Sequence, residues 1–279
     1  MARSETPDDE QSSVASNQSV TMSARILGEL ANSAQPLGVT ELARRLDESK
    51  ARIFRHLATM KQVGFVSQEH AGDEYQLGWN IYRLGVAAAE QFGLVRVANR
   101  HMTALRDLTQ ETTALAIPAS GDALLAGSVQ SERQIALSVK QGVVIGANSS
   151  ALGRVILAFS PPALQKRVLS KPLKAFSPYS IVDPVELQAR IDFTREHWWE
   201  VAINENAYGI ATLAAPVFDD KNNILASVAV VASALNITKD PDPKLIQAVQ
   251  ECAAGISAEF NSKAWEERLA ETGKTPKKR

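Results

Sequence analysis

Residues 37–66 run through a short helix, a tight turn, a second helix with cations on its outward face, and the start of a hairpin. Few folds accommodate that succession. Thr40-Glu41-Leu42-Ala43-Arg44-Arg45-Leu46 reads as the first helix, with Thr40 as its N-cap. Leu42 and Leu46, four residues apart, fall on one face. Ser49 is placed to cap a second helix reaching about Val63, with Ile53, Leu57, Met60 and Gly64 as its apolar stripe. The opposite face collects Ala51, Arg52, Arg55, Thr59 and Gln62. A small, cation-bearing face on the second of two short helices is what entry into a DNA major groove requires.

The flanks extend the pattern. Residues 19–34 carry Val20, Ile26, Leu27, Leu30 and Ala34, an apolar face for a supporting helix, before Pro36 and Gly38 break the chain. Phe65-Val66-Ser67-Gln68-Glu69 and Glu74-Tyr75-Gln76-Leu77 read as two short strands joined by His70-Ala71-Gly72-Asp73. Three helices and a hairpin make a winged helix-turn-helix over residues 19–78. Two short helices and a turn also occur in any small bundle. Here the hairpin follows in order, and the outward face carries Arg52 and Arg55 without acids. From Thr40 to Val63 six cations (Arg44, Arg45, Lys50, Arg52, Arg55, Lys61) face three acids (Glu41, Asp47, Glu48), yet the whole chain of 279 residues is at −1. Attraction to phosphate is therefore focused, and binding is expected to weaken steeply with salt.

A chain of this length with 45% hydrophobic and 22% charged residues has room for two domains. Its single cysteine, Cys252, excludes an intramolecular disulfide framework and suits a reducing cytoplasm, the expected location. No apolar run is long enough for a membrane span, and the start of the chain lacks a secretion-signal pattern. Residues 1–18, rich in Ser, Gln, Asp and Glu, read as a disordered tail, and residues 265–279 as a polar one. Lys277-Lys278-Arg279 at its end is a phosphate contact or a solvated terminus.

Residues 79–93 read as a linker helix, unusually rich in alanine for a solvated connector, so part of it is expected to pack on a second copy of the chain or on the next domain. Residues 94–264 read as an α+β domain. A helix with Val97, His101, Leu105 and Leu108 in its stripe opens it, and strands over 113–120 and 123–129 flank a Gly121-Asp122 turn. A third strand is predicted over 134–139, helices start at Ser149, Pro161-Pro162 and Asp183-Pro184, and three strands and a closing helix over about 243–263 follow.

Nothing in this second region reads as a catalytic motif. His56, His70, His101 and His197 are scattered, with no HExxH or HxH spacing, and no GxSxG, Walker or dinucleotide fingerprint occurs. Cys252 shares a helical stripe with Val249 and Ile256, as a core residue does. No enzyme, cofactor or metal site is expected, although a site assembled in space from distant residues escapes such a scan. A small-molecule pocket fits better. Thr212 is a hydroxyl within the apolar run Gly209-Ile210-Ala211-Thr212-Leu213-Ala214-Ala215-Pro216-Val217. It is either a hydrogen-bond donor into an apolar cavity or simply a β-branched strand residue. Ser149-Ser150 opens a helix whose N-terminus favours a carboxylate, or caps it, or both.

Four segments in this order carry a wider likeness: Gly38-Val39-Thr40-Glu41-Leu42-Ala43 through Gly64-Phe65-Val66, Tyr75-Gln76-Leu77-Gly78, Ala151-Leu152-Gly153-Arg154-Val155-Ile156-Leu157-Ala158, and Asn204-Glu205-Asn206 with Gly209 to Asp219. From about Ser19 to Lys263 the chain resembles the IclR family of bacterial transcription regulators. The resemblance implies an N-terminal winged helix-turn-helix with a C-terminal GAF/PAS-like effector-binding domain, acting as a homodimer or a pair of dimers on a palindromic operator. It further implies a repressor of an operon for organic or aromatic acid catabolism, whose small organic-acid effector changes operator binding. The alternative is a metabolic enzyme domain fused to a DNA-binding module. Arg52 and Arg55 are then expected on base edges with Thr59 assisting, and Lys50, Arg44, Arg45, Ser49 and His70 along the backbone. The pocket implied by the resemblance takes in Ser150, Ala151, Leu152, Gly153, Glu205, Gly209, Thr212, Ala229 and Val231. Ala229 and Val231 are apolar where some relatives carry hydroxyls, which points to an effector with an aromatic or aliphatic body.

Overall fold

The computed structural model describes residues 17–33, 35–68, 73–91 and 93–271, and the chain divides into two compact units, Met1–Gln91 and Phe92–Arg279. In the first, α1 (Gln18–Asn32) is capped by Asn17, whose side chain accepts from Ser19 N. Met22, Ile26 and Leu30 form its buried stripe. Val20, expected there, is exposed: it lies two residues, about 200°, away from Met22 and so on the opposite side. Ala34 lies outside the described residues. β1 (Leu37–Gly38) was not foreseen. Its extended backbone makes Gly38 the N-cap of α2 (Val39–Leu46), so Thr40 sits inside the first turn instead of capping it.

Asp47, in the left-handed region at φ 53°, closes α2, and Arg25 Nη2 donates to Leu46 O at 2.9 Å. Ser49 accepts from Arg52 N and opens α3 (Lys50–Gln62), which buries Ile53, Leu57 and Met60 as its spacing predicts. β2 (Val66–Gln68) and β3 (Glu74–Leu77) pair antiparallel, and β1 joins β3 to complete a sheet of order β1-β3-β2. His70 lies outside the described residues.

α4 (Trp79–Gln91) begins against the end of α3. Asn80 Nδ2 donates to Val63 O at 2.6 Å, and Asn80 N to Gly64 O at 3.1 Å. A Cβ on Gly78 would meet Gly64 O at 2.3 Å, so only glycine permits this approach.

The second unit opens with α5 (Leu94–Thr109), whose buried stripe is Leu94, Ala98, Met102 and Leu105; Leu108, predicted inside, is exposed. β4 (Thr112–Ala119) and β5 (Asp122–Val129) form the expected hairpin, which turns through Ser120 at φ 55° and Gly121 at φ 110°. The predicted strand at 134–139 is absent. Its carbonyls are held by side chains, Leu137 O by Thr112 Oγ1 at 2.7 Å and Val139 O by Ser128 Oγ, and Ile135 is exposed. β6 (Val144–Ile145) takes the edge beside β5 instead.

Then come α6 (Ala151–Ala158), α7 (Pro162–Leu169) and α8 (Pro184–His197), followed by β7 (Glu200–Ile203), β8 (Ile210–Phe218) and β9 (Ile224–Ser233). The six-stranded antiparallel sheet has order β6-β5-β4-β9-β8-β7. α9 (Pro243–Glu259) packs with α5 on one face, over Leu115, Leu213, Val228 and Val230, and α6 covers the other. The polar tail expected from 265 instead begins as α10 (Ala264–Glu271), because Trp265 buries its ring against Trp198 and donates Nε1–H to Pro216 O at 3.1 Å. Cys252 is core, with burial pushing its thiol up to about 12.

Candidate nucleic-acid interface and ligand face

The outward face of α3 presents Ala51, Arg55, Thr59 and Gln62, all exposed. The cations predicted for DNA differ in how free they are. Among the described residues Arg55 has no ion pair, and its guanidinium stands in the middle of that face. Arg52 is half-buried and bonded through Nη1 to Glu48, at 2.9 and 3.1 Å. Arg44 and Arg45 share Glu41, through Nη2 and Nε at 2.7 Å each, and Arg45 also lies 3.6 Å from Glu29. Hydrogen bonds from those two guanidiniums hold the Glu41 carboxyl down at about 2. A phosphate approaching Arg44 or Arg45 therefore competes with a carboxylate already in place. Thr59 donates its hydroxyl to Arg55 O at 3.1 Å, leaving its methyl and an acceptor outward. Ser49 is occupied as the cap, and Lys50 is exposed at the helix start.

One side chain was missed. Phe54 is 56% exposed, beside Ala51 and Ala58, in the cleft between α3 and the hairpin. The signal was present, since Phe54 falls outside the Ile53/Leu57/Met60 stripe, and an aromatic off the stripe has to face something else.

In the second unit Thr212, Ala229 and Val231, of the sequence-predicted pocket residues, lie on the sheet face that α6 covers, whereas Glu205 and Gly209 belong to the 204–209 loop. Thr212 pairs across the ladder with Val231 on one side and Ala202 on the other, and Ala229 lies between Ala114 and Ala214. Cross-strand partners share a face. This one is floored by Ala114, Ala116, Ala202, Ala214, Ala229 and Val231, with Leu152, Val155 and Ile156 of α6 packed against it. Thr212 is half-buried, and its hydroxyl has no hydrogen-bond partner among the described residues. Leu137, Val139 and Val143 close over the same cluster.

Ser150 is the N-cap of α6, accepting from Gly153 N at 2.9 Å. A Cβ on Gly153 would come within 2.8 Å of Ala147 Cα, so glycine lets the 146–147 turn rest on the helix. Gly209, at φ +83°, donates to Asn204 Oδ1 at 2.7 Å and closes the 204–209 loop.

Glu205 is committed inward. It grips fully buried Arg154 by a fork, Nη1 to Oε2 at 2.6 Å and Nη2 to Oε1 at 3.0 Å, while Arg154 Nη2 also donates to Val201 O. Arg154 Nε lies 3.3 Å from buried Glu200, which accepts from Arg190 Nη2 (2.5 Å) and Thr194 Oγ1 (2.6 Å). Burial pulls the Arg154 guanidinium down, but the carboxylates of Glu200 and Glu205 outweigh it and hold it above its ordinary value. Burial likewise raises the Glu205 carboxyl, and Arg154 opposes without cancelling. Arg154, alone among the apolar neighbours of ALGRVILA, was the readable sign that α6 buries a charge and needs partners. Among the described residues no three His, Cys, Asp or Glu side chains converge as a metal site, and no helix is long and apolar enough to cross a membrane.

A three-helix winged unit with a guanidinium unpaired among the described residues on its second helix-turn-helix helix, followed by an α+β unit of GAF/PAS-like architecture, defines a class of two-part DNA-binding regulators. The bacterial transcriptional regulator IclR C-terminal domain matches residues 86–258, and the IclR helix-turn-helix domain matches residues 19–70. The chain belongs to the IclR family and is a DNA-binding transcription regulator. It is 27% identical to the HTH-type transcriptional regulator KdgR of Dickeya chrysanthemi, over 79% of this chain and 73% of that one. To the HTH-type transcriptional repressor AllR of Escherichia coli it is 24% identical, over 86% and 89%. It shares its fold with an IclR homolog from Microbacterium hydrocarbonoxydans crystallised with 4-hydroxybenzoate, at a TM-score of 0.70 and 18% identity over 87% of this chain and 98% of that one.

Proposed function

We propose that this regulator is a ligand-responsive repressor of an operon for organic or aromatic acid catabolism, acting in the cytoplasm as a homodimer or a pair of dimers on a palindromic operator. Residues 19–78 form the DNA-binding domain, 79–93 the linker and 94–264 the sensor, its last helix running on to 271. The observation that carries the reading is Arg55, a cation on the exposed outward face of α3 with no ion pair among the described residues. In the groove it takes a guanine edge, where a bidentate guanidinium contact discriminates by about 1 to 3 kcal/mol. Arg52 reaches a base by leaving Glu48. Lys50, Arg44, Arg45 and His70 meet phosphates, the last three positions setting register more than sequence.

The effector lies over the alanine floor. Thr212 offers its hydroxyl, the start of α6 at Ser150, Ala151, Leu152 and Gly153 forms one wall, and Gly209 and Val231 bound the rest. Glu205 supports that wall through Arg154. A floor of methyl groups suits the flat face of an aromatic ring, and 4-hydroxybenzoate, the ligand of the Microbacterium relative, has such a ring with a polar group at each end. Exposed Trp79 and Tyr82 on α4, with Leu84 and Val86, supply an apolar surface for a second copy.

The test is a gel-shift series on duplexes selected by the full chain from a randomised library. Arg55→Ala is expected to weaken the best duplex about ten-fold or more and to flatten the preference at one base pair per half-site. Unchanged discrimination would refute the assignment.

A further inference from the structure

We infer that Phe54 is a second specificity residue, reading the methyl group of a thymine beside the base pair that Arg55 contacts. The inference rests on the DNA-binding reading of α3 and extends it to a residue of opposite chemistry. Phe54 is 56% exposed and projects away from the buried stripe that begins one residue earlier at Ile53. Ala51 and Ala58, three before and four after, lie on the same side of α3, so the ring has small immediate neighbours on that strip, with Lys50 and Lys61 at its two ends.

Its place round the helix favours a methyl group. Phe54 is one residue, about 100°, from Arg55, and it faces the cleft toward the hairpin instead of the crest. When the crest points at the middle of a base pair, the flank meets the groove wall. There the thymine C5-methyl projects next to its own strand, and it is the one apolar group that base edges offer. A bare phosphate is a poor occupant beside the ring. Lys50 and Lys61 line the cleft, but Lys61 Nζ is bonded to Gln68 Oε1 at 2.8 Å, and Asp73 and Glu74 add negative charge on the facing wall. A neutral methyl edge fits between them.

The experiment uses the full chain and duplexes it selects from a randomised library. Each thymine of the half-site is replaced in turn by deoxyuridine, which removes the methyl and keeps every hydrogen-bonding group. Wild type is expected to bind about four-fold more weakly when the methyl at one position of a single half-site is removed, the worth of one buried methyl. Phe54→Ala is expected to bind the parent duplex more weakly and to ignore deoxyuridine at that position. Phe54→Leu, which keeps an apolar contact, should retain part of the response. Circular dichroism and the melting curve confirm that the exposed-site variants fold. A response of the same size in Phe54→Ala, or no deoxyuridine effect in wild type, overturns the inference, as does Phe54→Ala binding like wild type. A library that yields no enriched duplex overturns the DNA reading of α3 itself, whereas enriched duplexes without a methyl effect overturn this inference alone.

Discussion

Arg154 shows how much one buried side chain can demand of its surroundings. Its guanidinium has no solvent exposure and draws on three groups from two adjoining segments: Val201 O and Glu200 of β7, and Glu205 in the loop beyond it. Arg190 completes the set from α8, so two cations face two anions. Such a cluster adds little net stability over an apolar core, because desolvation offsets the attraction, but removing one member leaves its partners stranded. Arg154→Met is therefore expected to cost the second unit about 3 to 5 kcal/mol, read as a shift of its transition in urea. Glu205→Gln should cost less, since the Glu205 side chain reaches solvent at its edge and the amide oxygen still accepts from the guanidinium. A loss below 1 kcal/mol for Arg154→Met would mean that water enters and solvates the carboxylates. The charge in ALGRVILA was plain to read from the chain, but its partners were not, for they lie 46 and 51 positions downstream and no local period links them.

At the level of elements, the junction of α3 and α4 ties the reading helix to the linker through Asn80 and the glycines at 64 and 78. Asn80→Ala removes the Nδ2–Val63 O bond and little else. It is expected to destabilise the first unit by about 1 kcal/mol and to speed exchange of the amides at 80–82 about five-fold, as measured by hydrogen–deuterium exchange. Unchanged exchange there would place the restraint elsewhere. Helices with a strong period, such as α3, were legible with their caps and buried stripe, because burial and spacing act on the same few residues. The stripe of α5 was misplaced by about one residue because His101 and Leu108 kept the three-to-four rhythm while Ala98 and Met102 carried the burial. β1, β6 and the coil at 134–139 were beyond local pattern. Two-residue strands have no period, and the coil owes its path to the Thr112 and Ser128 hydroxyls contributed by the neighbouring hairpin. In the candidate site, Arg55 and Thr212 could be named from the chain, whereas the pairing of Arg52 with Glu48 and the exposure of Phe54 required coordinates.

At the scale of the whole molecule, the proposed function requires that a ligand on one unit change what the other does. A ligand shifts an equilibrium only by its difference in affinity between the two states, and coupling in such systems is worth about 5- to 150-fold in the second affinity. On a palindromic operator the two recognition helices must match half-sites roughly 34 Å apart. In the proposed dimer, a modest change in geometry is therefore enough to spend that coupling. If Thr212 donates to the effector, its replacement by valine, which has the same shape without the hydroxyl, removes the contact and leaves the sheet intact. Thr212→Val is thus expected to keep effector-free operator affinity within about two-fold, while the response to the effector falls by about five-fold, the value of one lost hydrogen bond. The check is a gel-shift titration in which small aromatic acids such as hydroxylated benzoates release the operator from wild type and variant, and the concentrations needed are compared. An identical titration for the two proteins would remove Thr212 from the ligand site. Loss of DNA binding without effector would instead show that β8 matters to the assembly of the dimer.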